Sequence, residues 1–181
     1  GADAVVAQLL ESNKYHTTAL MMAAKNGQEA MCRMLLRSAP RRARPAMLAQ
    51  STLEGMTALM LTAQRGHVAS LRLLLRHGAD VMQADQYGWT ALIYGSELGD
   101  LETIEVLLDA GSDLTQKAKF GGTCLTMAAE KGHAAAVSLL LARGADITQA
   151  DSDGTTSLLF ACREGHVDAI RVLLDANAPL I

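Results

Sequence analysis

The sequence predicts an all-α solenoid of stacked helix pairs, and three observations carry that expectation. Four segments, GMTALMLTAQRGH (55–67), GWTALIYGSELGD (88–100), GGTCLTMAAEKGH (121–133) and GTTSLLFACREGH (154–166), align without gaps. Their threonines, Thr57, Thr90, Thr123 and Thr156, recur every 33 residues, a period typical of repeat architectures. A second apolar segment follows the copies, as in VASLRLLLRHGAD (68–80), TIEVLLDAGSD (103–113) and AAVSLLLARGAD (135–146).

Taken in order, residues 3–12 (DAVVAQLLES) resemble a second helix without its first, so 1–15 reads as an N-terminal capping helix. The first unit, 16–54, contains HTTALMMAAKNGQ (16–28) and six extra residues in its connection. Units of 33 follow at 55–87, 88–120 and 121–153, and a fifth, 154–181, falls short of a full period. In each unit a Thr hydroxyl caps the first helix. A glycine (Gly66, Gly99, Gly132 or Gly165) then stops that helix in the left-handed conformation. The second helix sets Val68, Leu71, Leu74 and Leu75 at helical spacing. Linkers such as VMQADQYG have the Asp and Gly of a tight turn or small hairpin. One such unit cannot bury enough apolar surface alone, so neighbours must stack. In the last unit Val167, Ile170, Val172, Leu173 and Leu174 match the interior copies where an end unit ordinarily turns a polar face outward. That points to a fragment of a longer protein.

The G-x-T-A-L, A-A-x-x-G-H and L-L-L-x-x-G-A-D strings at this period resemble the ankyrin repeat family over residues 14–181. The family's T-P-L-H tetrapeptide appears here as TALM, TALM, TALI, TCLT and TSLL, without its Pro or His in any copy. Ala at the first helical position forgoes only some preorganisation. The resemblance implies an ankyrin-repeat α-solenoid, and it implies that His67, His133 and His166 are structural, hydrogen-bonded near the turn.

Half the residues are apolar and 19% are charged, which excludes a disordered tail. No apolar run approaches the ~18 residues of a membrane span. The first residues lack a basic segment followed by an apolar one, so no secretory signal is expected. Cys32, Cys124 and Cys162 are odd in number and form no CxxC pair. Free thiols in an intracellular compartment, cytoplasm or nucleus, are therefore expected. The net charge of −3 hides a polarity: residues 1–78 hold ten Lys/Arg and four Asp/Glu, residues 79–181 six and fifteen.

Chemistry is not expected of this chain. Histidines spaced 33 or 66 apart in a stack lie too far from one another to share a metal, whose ligand bonds are about 2 Å. The three cysteines read as small buried hydrophobes with nothing near to activate a thiol. Met21, Met22, Met31, Met34, Met60 and Met127 continue the helical periodicity as core filler. No GxGxxG, GxxxxGKT, GxSxG or HExxH string occurs. No catalytic, cofactor or metal residue is assigned, and the chain is expected not to be an enzyme.

Binding is where the sequence is informative. Of six aromatics, Tyr94 and Phe160 share a first-helix position and read as core, while Tyr15, Tyr87, Trp89 and Phe120 fall in the turns. In ankyrin-like proteins the turns and the exposed side of the first helix form the concave recognition surface. Position by position the resemblance implies Leu53, Met56 and Arg65, then Gln86, Tyr87, Trp89, Glu97 and Leu98, then Lys119, Phe120 and Glu130, and finally Asp153. Exposed Leu53, Met56, Tyr87, Trp89 and Phe120 on successive turns would form an apolar patch that marks an interaction site. Asp85, Glu97, Glu130 and Asp153 beside it favour a protein or peptide partner of basic character. The alternative is a regulatory or targeting segment of a larger enzyme, channel or transcription regulator, acting within its own chain. The insertion SAPRRARPAMLAQ adds a cationic cluster, Arg41, Arg42 and Arg44, within 39–46, which reads as a solvated loop whose prolines stop any helix, or as an anion site. Nucleic acid is not an expected partner, because the chain is acidic overall and its aromatics do not interleave with the basic cluster.

Overall fold

A computed structural model describes residues 2–176, which form twelve α-helices and one 3-10 turn. After α1 (Ala2–Leu10), helices come in pairs: α2 (Ala19–Lys25) with α3 (Glu29–Ser38), α5 (Ala58–Gln64) with α6 (Val68–Arg76), and α7 (Ala91–Leu98) with α8 (Leu101–Asp109). Then follow α9 (Cys124–Glu130) with α10 (Ala134–Ala142) and α11 (Ser157–Glu164) with α12 (Val167–Asp175). The insertion is itself structured, as a 3-10 turn (Arg41–Ala43) running into α4 (Arg44–Ala49). First helices pack on first helices in chain order, and second helices on second helices, giving two layers. The core lies between them, with Leu20, Leu74, Leu92, Ile104, Leu107, Leu125 and Leu140 fully buried.

The threonine caps account for where the first helices start. Thr18, Thr57, Thr90 and Thr123 each accept a hydrogen bond from the backbone amide three residues on, at 3.2–3.4 Å. A cap of this kind stabilises a helix by about 1 kcal/mol. Thr156 departs from the expectation: its hydroxyl caps nothing and is buried without a partner. Tyr94 and Phe160 are buried, as their shared register requires.

Other expectations from the sequence also need correction. Met22, Met31 and Met34 are exposed rather than core, at 50%, 44% and 54%. They lie in the first helix pair, where no full pair packs from the preceding side. Cys162 is exposed, while Cys32 and Cys124 are buried; burial raises the Cys32 thiol and pushes the Cys124 thiol up to about 12. Pro45 does not stop a helix: it occupies the first turn of α4, where a missing amide costs nothing. Nor is the insertion a solvated loop, because Ala43, Met47 and Leu48 are buried and the Arg44 guanidinium donates from Nε to the carbonyls of Leu36 and Ala39. On α12, Leu173 is buried, Ile170 and Val172 are half-buried, and Val167 and Leu174 are exposed; residues 177–181 lie outside the described region.

Candidate partner-binding face

Between the helix pairs the chain makes tight hairpins that project from one edge of the stack, and backbone bonds join each tip to the next. The amides of Leu53, Gln86, Lys119 and Ser152 donate to the carbonyls of Tyr15, Glu54, Tyr87 and Phe120, at 3.2, 2.9, 2.8 and 3.0 Å. Close approach of neighbouring tips demands glycine. At Gly121 φ is +84°, and a Cβ there would lie 2.7 Å from the backbone of Asp151 and Ser152. The equivalent residue in the first hairpin is His16, the one described non-glycine residue with positive φ, at 58°.

Asp85 organises the tip that carries the two central aromatics. Its Oδ1 accepts from the amides of Tyr87 (2.8 Å) and Trp89 (2.9 Å), and its Oδ2 accepts from the Tyr94 hydroxyl at 2.6 Å. Burial, and then this bond, hold the Tyr94 phenol well above the usual tyrosine range. The carboxylate is buried and committed to the hairpin. Asp85 therefore does not serve as the acidic flank expected of it. Trp89 leans on the Tyr94 ring, with centroids 5.0 Å apart, and is half-buried.

Of the apolar groups expected on this face, Leu53 at 58%, Tyr87 at 48%, Leu98 at 42% and Phe120 at 73% are exposed. Met56, expected beside them, is buried; it precedes the Thr57 cap, and its backbone closes its own hairpin with Thr52. Trp89 likewise forms floor rather than crest. Three hollows indent the face, two of which share Glu97 and Lys131. Trp89, Phe120 and Met127 line one whose rim bears Glu97, Glu130 and Lys131. The Lys131 ammonium lies 3.9 Å from Glu97 and 3.7 Å from Glu130, at an exposed site where such pairs contribute little. Tyr94, Glu97 and Leu98 belong to a second hollow with Gln64. Leu53 and Met56 belong to a third, together with Tyr15, Met22 and Glu54.

Tyr15, 56% exposed, and Met22 belong to this third hollow although sequence reasoning did not place them in the site. The signal for Tyr15 was its repeat position, shared with Tyr87 and Phe120. Gln86, Lys119 and Asp153 are exposed at the tips, outside these hollows. Arg65 lies apart, in a polar hollow with Lys25, Asn26 and His67.

Histidine binds neighbouring pairs at the other end of the first helices. His67, His133 and His166 donate from Nε2 to the carbonyls of Lys25, Glu97 and Glu130, at 3.1, 2.9 and 2.8 Å. Each ring thus reaches into the preceding pair, packed over its stop glycine; at Gly132 a Cβ would lie 2.5 Å from the His166 ring. The third unit has Asp100 instead, which caps α8 through the Thr103 amide.

The geometry is that of a helical-repeat solenoid edged by linked hairpins. The model of the family described as "Ankyrin repeats (3 copies)" matches residues 42–118 and 99–180, and that of "Ankyrin repeat" matches 15–44. The chain belongs to the ankyrin repeat family, whose members are generally protein–protein interaction modules and typically non-catalytic. A search of the curated proteins found no match.

Proposed function

We propose that the chain is a non-catalytic module that binds an extended basic segment of another protein along the hairpin tips and first helices of residues 55–153. The observation that carries this reading is exposed Phe120 sharing one hollow with Glu97 and Glu130, with exposed Tyr87 on the preceding tip. Aromatic rings supply contact area at low entropic cost, and carboxylates beside them select cations. Leu53 and Tyr15 extend the apolar strip towards the N-terminal end. A partner Lys or Arg entering between Trp89 and Phe120 would stack on the rings and displace Lys131 from the two glutamates.

Titration of a fluorescent Lys/Leu dodecapeptide and its Glu/Leu counterpart tests the reading. Tyr87→Ala with Phe120→Ala should weaken the basic peptide about tenfold or more, with the melting temperature little changed because both rings are exposed. Indifference of the basic peptide to the double substitution would refute it. Trp89 is unsuited to that test, because its removal also strips the packing from Tyr94.

A further inference from the structure

The outer face of the first helix pair carries charge that the binding face does not use. Residues 29–79 contain eight arginines, no lysine, and only Glu29 and Glu54 as acids. Arg33 and Arg37 share one side of α3 with Ala30, Met34 and Ser38, the set of neighbours along a helix face, and together they line a shallow hollow. Glu29 pairs with Arg33. The insertion extends this surface. Its Arg44 is hooked onto the carbonyls of Leu36, in the last turn of α3, and Ala39, just beyond it, and its apolar residues are anchored in the core, so exposed Arg41 and Arg42 are held at the end of the helix where Arg37 stands. Arg76 occupies in α6 the place that Arg37 has in α3. His77, just beyond it, registers the clustering: partial burial, then the charges of Arg44, Arg37 and Arg33, hold it below the usual histidine range.

We propose that this outer face docks an acidic peptide segment, whose carboxylates take the arginine forks while its apolar side chains rest on exposed Met34 and Met31. The exclusive use of arginine is the discriminating feature. Planar bidentate recognition of carboxylates requires the guanidinium, whereas diffuse attraction to an anionic bilayer is served equally by lysine. Exposed methionines among the cations suit side chains of varied shape. The site lies on the second-helix layer and is independent of the hairpin face.

Fluorescence anisotropy with a Glu/Leu dodecapeptide, its Gln/Leu counterpart, and phosphatidylcholine vesicles with or without phosphatidylserine tests the proposal on the full chain. The glutamate peptide should bind saturably and more weakly as salt rises. Arg37→Glu with Arg41→Glu, both exposed, should weaken it about tenfold or more while circular dichroism stays native. Phe120→Ala, on the hairpin face, should leave this affinity unchanged, so loss of basic-peptide binding there says nothing against the outer site. Equal binding of the glutamine peptide, an unaltered affinity in the charge-reversed variant, or recruitment to anionic vesicles without saturable peptide binding would each overturn it.

Discussion

Leu35 in α3 and Leu107 in α8 hold the same repeat position, as do Met22 and Tyr94 in the first helices, yet their surroundings differ. Leu107 is fully buried and Leu35 only half-buried; Tyr94 is 8% exposed and Met22 50%. The third pair is flanked on both sides by complete pairs. The first is flanked on one side by α1 and patched by the insertion, whose Gln50 donates to the Leu10 carbonyl. Position in the array, rather than residue type, decides what a given apolar side chain contributes.

Truncation of the two leucines sharpens that contrast most. Leu107→Ala should cost about 2–5 kcal/mol in denaturant unfolding, and Leu35→Ala distinctly less. Equal losses would mean that the first pair is as enclosed as the third. Next in size is Asp85→Ala, which removes the acceptor of two amides and the Tyr94 hydroxyl in the third-pair hairpin. A loss of about 1–3 kcal/mol is expected. The corresponding acceptor of the first hairpin, Asn13, is exposed and bonds only the Tyr15 and Thr17 amides, so Asn13→Ala should cost less.

The smallest effect has the opposite sign. His16 takes a left-handed conformation where the other hairpins have glycine, and its tip makes the longest of the four inter-hairpin bonds, 3.2 Å. His16→Gly should raise stability by about 0.5–1 kcal/mol in the same unfolding assay, because the backbone penalty of a non-glycine residue there exceeds the entropy cost of glycine. A loss on substitution would show that the imidazole makes a compensating contact.

The stacking was legible because a 33-residue period forces equivalent residues into equivalent places, and Thr caps and Gly stops mark the helix ends independently of tertiary context. Exposure was less legible. Helical spacing says which residues share a face, but not whether a neighbour covers it, so Met22 and Met34 read as core and Met56 as surface. Cys162 misled for the same reason: its register resembles that of buried small residues, but among the described residues no pair packs beyond the fifth. Within the candidate site, Tyr87 and Phe120 were visible as aromatics with no core to enter. Asp85 was not, because its role depends on a tyrosine hydroxyl nine residues away that only the fold brings within 2.6 Å. The insertion's two prolines suggested a break in structure; the buried Met47 and Leu48 beyond them outweighed it.

The tip-to-tip bonds carry one more consequence. Each hairpin after the first gives an amide to a carbonyl of its predecessor by the same geometry, through backbone atoms alone. Excising a whole period, for instance 88–120, would therefore bring surviving donors and acceptors back into register, leaving a shorter ruler with the same graduations. Reach along a bound polypeptide is in that sense a quantity this architecture can change in whole steps without redesigning any joint.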